Sequence, residues 1–288
     1  MSKLNPGKSA IRSKGWFVAH KWLILRRMSQ LVILALFLIG PLLGIWWVKG
    51  NLASSLTFGV LPLTDPYVLL QSFVAGHGLA KTAIIGAAIV VVFYLLIGGR
   101  VYCSWVCPLN LVTDAANWVR EKLKLTGGIQ MSRRLRYWIL GLTLALAAAT
   151  GSIVWELINP VSALQRGLIF GLGGAWIIVL AIFLFDLFVS KRGWCGHLCP
   201  VGAFYSLLGR QSLVRVSAPN RERCDNCMDC YNVCPEPQVI TPALKGAAKG
   251  IGPVILEANC TNCGRCVDVC SVDVFSFVSR FNNKTGAA

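Results

Sequence analysis

Histidine is nearly absent: His20, His77 and His197 are the only three in 288 residues. None follows a Cys-x-x-Cys pair, which excludes covalently attached c-type haem. All three lie outside the long apolar runs, so a bis-histidine haem buried in a helical bundle is excluded too. Acidic residues are scarce, 12 against 28 Lys and Arg, for a formal net charge of +16. Charged residues of both signs make up only 14% of the chain, and the mean hydropathy is +0.62. That is far too apolar for an ordinary soluble domain. A nucleic-acid partner would account for the basic excess, but no basic stripe interleaved with aromatics occurs. Basic flanks of membrane helices account for it better. No glycine-rich dinucleotide fingerprint opens a suitable helix, and Gly98-Gly99 reads as the end of an apolar run.

No cysteine is left over. All 12 fall in short clustered motifs, whereas a disulfide-stapled secreted chain scatters them through a small, loop-rich fold. Cys224-x2-Cys227-x2-Cys230-x3-Cys234-Pro235 is the bacterial iron–sulfur run, and Cys260-x2-Cys263-x2-Cys266-x3-Cys270 repeats it. Three thiolates on a tight loop hold three irons of one cubane, and the fourth cysteine ligates the other cluster. The expectation is two [4Fe–4S] clusters, one on Cys224, Cys227, Cys230 and Cys270, the second on Cys260, Cys263, Cys266 and Cys234. Ser271 stands where the second run would carry a proline, which can alter the local turn. Zinc also uses Cys-x2-Cys pairs, but two complete four-cysteine runs speak against it. A cubane changes by one electron, so the work expected of this domain is electron relay. Arg221, Arg223 and Arg265 can tune potential, dock a partner, or be plain surface charges.

Four apolar runs, Met28–Val48, Ala80–Gly98, Tyr137–Trp155 and Leu168–Val189, are long enough to cross a bilayer. Lys3, Lys8, Arg12, Lys14, Lys21, Arg26 and Arg27 precede the first. Arg100, Arg120, Lys122, Lys124, Arg133, Arg134 and Arg136 lie between the second and third, and the other two loops carry only Lys49, Lys81 and Arg166. This asymmetry predicts a multi-pass protein of the bacterial cytoplasmic membrane with both termini in the cytoplasm. Arg26-Arg27 could mark twin-arginine export, but the run is span-length and no small-residue cleavage site follows.

The apolar region is duplicated. Asp65-Pro66-x-x-x-Leu70-Gln71 and Cys103-x-x-x-Cys107-Pro108 recur as Asn159-Pro160-x-x-x-Leu164-Gln165 and Cys195-x-x-x-Cys199-Pro200, offset by 94 and 92 positions. Each cysteine pair has i, i+4 spacing, one face of a helix, and each proline predicts a helix break at the preceding cysteine. The four thiols can bind an additional metal or cluster, act as redox or partner-contacting thiols, or simply pack. His197, between two of them, could ligate or carry a proton.

These features predict an α-helical polytopic membrane protein: a basic N-terminus (1–27), a four-helix membrane domain of two repeated hairpins (28–210), an α+β 2[4Fe–4S] ferredoxin-like domain (215–280) and a tail (281–288). A quinol site would need a proton acceptor near the lipid. Candidates are Asp65, Gln71, His77, Glu156, Asn159 and Gln165 at one side, and Asp114, Asp186 and His197 at the other. Asp186 is expected to be neutral, paired with Lys191 or Arg192, or a proton handler, whereas Asp65, Glu156 and His77 have no clear partners.

With Pro62-Leu-Thr-Asp-Pro66, Cys103-Ser-Trp-Val-Cys-Pro-Leu-Asn110, Gly193-Trp-Cys-Gly-His-Leu-Cys-Pro-Val-Gly202 and Cys227-Met-Asp-Cys230, the chain resembles the NapH family over nearly its whole length. These are the quinol dehydrogenase membrane subunits of periplasmic nitrate reductase systems. The resemblance implies quinol, with ubiquinol the expected form, as substrate, and a periplasmic ferredoxin-like subunit of the NapG type as partner. Beyond it would stand a periplasmic nitrate reductase and its c-type cytochromes. Electrons would then have to cross the membrane from cytoplasmic clusters, which draws attention to the CxxxCP cysteines. Two other readings stay open: a membrane scaffold or assembly polyferredoxin, and redox sensing through the CxxxCP thiols.

Overall fold

The computed structural model describes residues 6–125, 127–129, 131–171 and 174–282. Lys3 of the basic N-terminus and residues 283–288 of the tail lie outside the described residues. The chain forms two compact units: Met1–Ser29, Tyr94–Trp105 and Tyr205–Ala288 in one, Gln30–Phe93 and Val106–Phe204 in the other. The sequence placed 28–210 in one domain, whereas the segment around Gly98–Trp105 packs with the cysteine runs.

In the first unit, strands Val214–Ser217 and Ser276–Ser279 pair antiparallel, with Arg215 opposite Val278. They frame a core of Val216, Val239, Ile240, Ala243, Ile255, Val274 and Phe275, into which Cys230, Cys266 and Cys270 also pack. Helices Lys8–Lys14 and Trp16–Ala19 belong to this unit. Two buried carboxylates fix them: Asp229 Oδ2 accepts from the Gly7 N–H at 3.0 Å, and Asp268 accepts from the N–H groups of Trp22 and Leu23 at 3.1 and 2.9 Å. The second contact satisfies donors that the first turn of helix Lys21–Leu43 leaves without intrahelical partners.

Gly99 does more than end a helix. A Cβ there would collide with the main chain of Tyr205 and Gly209, so only glycine permits this approach of two backbones. Nearby, Tyr205 stacks on Tyr102 at 4.8 Å and meets Tyr94 edge-on at 5.0 Å. Gly99→Ala is expected to lower stability by about 1–3 kcal/mol through overpacking, read as a lower thermal midpoint of the purified protein.

The second unit contains a three-stranded antiparallel meander, Val48–Gly50, Ser54–Thr57 and Leu61–Thr64. The duplicated sequence elements take the same local form. Asp65 and Asn159 are N-caps with nearly equal backbone angles, each accepting from the N–H two residues on (Tyr67, 2.9 Å; Val161, 3.0 Å). Each is followed by proline at the first helical position, where its missing N–H costs nothing. Helices Pro66–Val74 and Pro160–Phe170 follow.

The four predicted spans meet helices with different limits: Lys21–Leu43, Lys81–Ile97, Leu135–Thr150, and Ala175–Leu184 continued by a π-turn Phe185–Val189. Among the described residues only Lys21–Leu43 is both long and apolar enough to cross a membrane, and the others are shorter apolar helices. The first predicted span is displaced: its helix starts seven residues earlier and stops two residues after Pro41, and Val48 lies in a strand. The helix passes through Pro41 and stops at Gly44, whose φ of 75° and N–H bond to the Gly40 carbonyl (2.9 Å) make a left-handed C-terminal cap, so the apolar Ile45–Val48 stretch leaves the helix.

Candidate iron–sulfur site

The two cysteine runs build the same backbone twice. Asn226 and Met228 in the first, and Asn262 and Gly264 in the second, have positive φ of 55°, 65°, 45° and 73°. These left-handed positions wrap each loop around a centre and turn N–H groups inward, as in anion-binding nests. Each loop runs into a five-residue helix, Asp229–Val233 or Arg265–Val269, that ends at an extended cysteine, Cys234 or Cys270. Pro235 explains the extended Cys234. Cys270 is extended without a following proline, so Ser271 leaves the turn unchanged.

Gly264 is needed for a second reason. A Cβ there would lie 2.5 Å from Cγ of Trp22, and the Trp22 ring packs on Phe277 at 4.5 Å.

The short helices carry the fourth cysteine of each run to the other loop. One cavity, with about 370 Å³ of empty space partly open to solvent, is lined by Cys224, Cys227, Cys230 and Cys270. The other, about 350 Å³, is lined by Cys234, Cys260, Cys263 and Cys266. The two cavities are of near-equal size, and each is lined by three cysteines of one run and the fourth of the other. Among the described residues no three His, Cys, Asp or Glu converge tightly enough for a single metal ion. Four thiols around a cavity suit a polynuclear centre instead.

Electrostatics point the same way. Burial pushes the Cys230 thiol up to about 12, helped by neighbouring Cys227, Cys270 and Cys224. Burial likewise raises Cys260 to about 11 and Cys266 well above the ordinary thiol range. Burial also opposes the Cys263 thiolate, but the charges of Arg265 and Arg26, with hydrogen bonds from Thr261 and the Arg265 N–H, together bring that thiol below its usual value. Thiolates crowded into a low-dielectric cavity need a cationic centre between them, and an iron–sulfur cluster supplies one. One sulfur already accepts a hydrogen bond, Cys270 Sγ from the Val274 N–H (3.3 Å), and Asp225 Oδ1 fixes the first loop by accepting the Cys227 N–H (3.2 Å).

The second loop is tied to the segment carrying the first CxxxCP pair. Ser104 Oγ donates to the Thr261 carbonyl (2.8 Å), Trp105 Nε1 to that of Asn262 (3.1 Å), and Asn262 Nδ2 to that of Ile97 (3.2 Å). Sequence reasoning missed the buried arginines here, having read Arg26 and Arg100 as flanking charge. Arg100 forms a 2.6 Å ion pair with Glu236 and donates to the Asn259 carbonyl at 2.9 Å. Arg221 donates to the Ile251 carbonyl (2.7 Å), so it staples a loop.

Each CxxxCP pair starts on a π-turn rather than an α-helix, Tyr102–Val106 or Trp194–Leu198, and its second cysteine is outside that turn. A new helix follows each proline, from Leu109 and from Pro200. Cys103 belongs to the first unit, and Cys107, Cys195 and Cys199 to the second. Cys195 Sγ lies 3.9 Å from Thr113 Oγ1, and the Cys107 carbonyl accepts from Gln30 Nε2 at 3.3 Å. Half-buried His197 sits on the turn between its two cysteines.

The quinol candidates fare unevenly. Asp186 is buried, and its Oδ1 accepts the Trp194 N–H at 2.9 Å, fixing the start of the second CxxxCP turn. Lys191 and Arg192 reach other acids, Glu121 at 3.6 Å and Asp114 at 3.7 Å. Asp65 and Glu156 do have partners. Asp65 caps its helix, and Glu156 accepts from Asn159 Nδ2 at 3.0 Å and faces Arg166 at 3.9 Å. His77 is exposed. Gln71 and Gln165 are buried, and Gln71 Oε1 accepts the Trp155 N–H at 3.2 Å.

Comparison with known proteins places these features in a family. Residues 79–126 and 172–219, each holding one CxxxCP pair, match the family described as 4Fe-4S binding domain. Residues 223–274 match the 4Fe-4S dicluster domain family. The methylamine utilization ferredoxin-type protein MauN of Paracoccus denitrificans is 58% identical over 94% of this chain and 95% of its own. MauN of Methylorubrum extorquens is 53% identical over 94% and 93%. The ferredoxin-type protein NapH of Escherichia coli is 47% identical over 98% and 97%. No solved structure matches.

Proposed function

The chain belongs to the family of ferredoxin-type, iron–sulfur electron-transfer proteins that includes NapH and MauN, and we propose that it is a membrane-embedded quinol-oxidising carrier with two [4Fe–4S] clusters. The observation that carries this reading is the pair of cavities, each lined by four cysteines drawn from both runs. Cys224, Cys227, Cys230 and Cys270 would hold one cluster, and Cys234, Cys260, Cys263 and Cys266 the other.

Membrane embedding is supported by the apolar helices. Ile85, Val92 and Phe93, then Trp138 and Leu142, then Ile177, Leu180 and Phe188, all face outward. Each such side chain left in water forgoes roughly 1.5–3 kcal/mol; in lipid that loss disappears. All four apolar helices are assigned to the bilayer, the shorter ones spanning by local thinning or with flanking residues.

Quinol oxidation releases two electrons and two protons. Two one-electron centres take the electron pair, and Glu156 and His77 are the proton acceptors this reading favours. The protein in quinol-containing membranes should show cluster EPR signals appearing when quinol is added. Unchanged signals, with iron content intact, would overturn the quinol assignment. Iron assay of a variant lacking Cys103, Cys107, Cys195 and Cys199 tests an extra centre there: iron equal to wild type dismisses it.

A second reading concerns the system served. The resemblance to NapH points to a periplasmic nitrate reductase reached through a NapG-type partner. The higher identity to MauN, 58% against 47%, favours methylamine utilisation. Deleting the gene should abolish growth on methylamine and spare nitrate respiration; the reverse pattern restores the nitrate assignment.

A further inference from the structure

Buried charge is divided unevenly between the two cysteine-lined cavities. Around Cys260–Cys266 stand Arg26, Arg100 and Arg215, exposed by only 0%, 2% and 2%. Arg26 lies one helical turn beyond Trp22, the residue that packs over Gly264, so it shares the face turned to Cys263. Arg215 spends its guanidinium on main-chain carbonyls: Ser212 and Glu257 at 3.3 Å, Arg210 at 3.1 Å, and Gly209. Arg265 begins the helix after Cys263 and reaches the Val233 carbonyl, next to Cys234, at 3.5 Å. Two buried carboxylates oppose these cations: Glu236 against Arg100, and Asp268 near Arg26. Four arginines against two acids leave this cavity in a positive field.

The other cavity has the opposite surroundings. Asp225 and Asp229 flank Cys227, and Asp229 is buried with Oδ2 on the Gly7 N–H. Of the cations near it, Lys245 on its rim and Arg223 beside Cys224 are exposed and therefore screened by water and salt. Half-buried Arg221 is turned to the Ala243 and Ile251 carbonyls, and Lys14 is neutralised by Asp273 at 2.6 Å.

Reduction adds one negative charge to an iron–sulfur centre. Nearby buried cations stabilise that charge, buried carboxylates oppose it, and the low dielectric amplifies both. We propose that the cavity of Cys234, Cys260, Cys263 and Cys266 holds the higher-potential cluster, and that an electron entering the chain rests there first. Ser104 and Trp105, which follow Cys103, hydrogen-bond to this loop. Arg26 and Arg215 act as positioning charges, not ligands.

The inference rests on both cavities holding [4Fe–4S] clusters, which iron and sulfide assay decides separately. Its test is an EPR-monitored redox titration of the full chain in detergent, with dithionite and mediators and without quinol or partner. Two signals with separated midpoints are expected. Arg26→Gln should lower only the higher midpoint, shifting the electron's partition about tenfold, or ~59 mV for a one-electron couple. Arg26→Lys should restore it. Asp229→Asn should raise only the lower midpoint and narrow the gap. Coincident wild-type midpoints, or an Arg26→Gln shift confined to the lower signal, would overturn the proposal. So would the absence of a shift at full iron content. If Arg26→Gln loses iron, Asp229→Asn decides: raising the higher signal overturns the ordering, and raising the lower supports it.

Discussion

Replacing Cys234 with Ala is expected to abolish the same EPR signal that Cys263→Ala abolishes, although Cys234 belongs to the other cysteine run. Iron should fall from about eight to about four per chain in either variant. Cys270→Ala should instead behave like Cys227→Ala. The expectation follows from the cavity linings, where Cys234 joins Cys260, Cys263 and Cys266, and Cys270 joins Cys224, Cys227 and Cys230. The effect should extend past one centre. Cys230, Cys266 and Cys270 pack in the same core as Val216, Ile240 and Val274, and binding free energy at such a site is also folding free energy. Cluster removal should therefore loosen strands Val214–Ser217 and Ser276–Ser279, seen as faster amide exchange. If Cys234→Ala and Cys227→Ala remove the same signal, each run holds its own cluster and the exchange is wrong.

The grouping of cysteines around the two cavities could be read from sequence because the information is local. Three thiols with two residues between each share a loop, and a fourth beyond three more residues leaves it. The duplicated Asp65-Pro66 and Asn159-Pro160 elements were legible for a similar reason, since capping uses atoms two residues away. What escaped was long-range. Arg26, Arg100, Arg120 and Arg136 were read as charges flanking a bilayer, yet all four are buried. Arg120 donates to the Leu187 carbonyl (2.7 Å) and Arg136 to that of Gly196 (3.2 Å), partners 67 and 60 residues away. Composition counts a charge but cannot say whether a guanidinium faces water or a carbonyl. The strands between Val48 and Thr64 escaped because Ile45–Val48 extends the apolar run past Gly44, the residue at which the helix ends.

Arg100 gives the sharpest test of such a buried contact. Its guanidinium and the Glu236 carboxylate lie 2.6 Å apart, with side chains 2% and 1% exposed. Removing one partner leaves the other charge buried and uncompensated, which costs about 3–5 kcal/mol. Arg100→Met should therefore lower the unfolding midpoint by roughly 6–20 °C, with Glu236→Leu comparable. The double variant should recover most of that loss, because an apolar pair of similar volume avoids the desolvation of two ions. Recovery should be incomplete. The Asn259 carbonyl loses the Arg100 donor, and Gln238 Nε2 loses its 2.7 Å acceptor on Glu236, each worth about 1 kcal/mol. Glu236 follows Cys234-Pro235 and lines the second cavity, so the single variants should release iron from that cavity before the other. A cost below about 1 kcal/mol for Arg100→Met is the value of an exposed pair, and would mean that water reaches a contact the fold places inside.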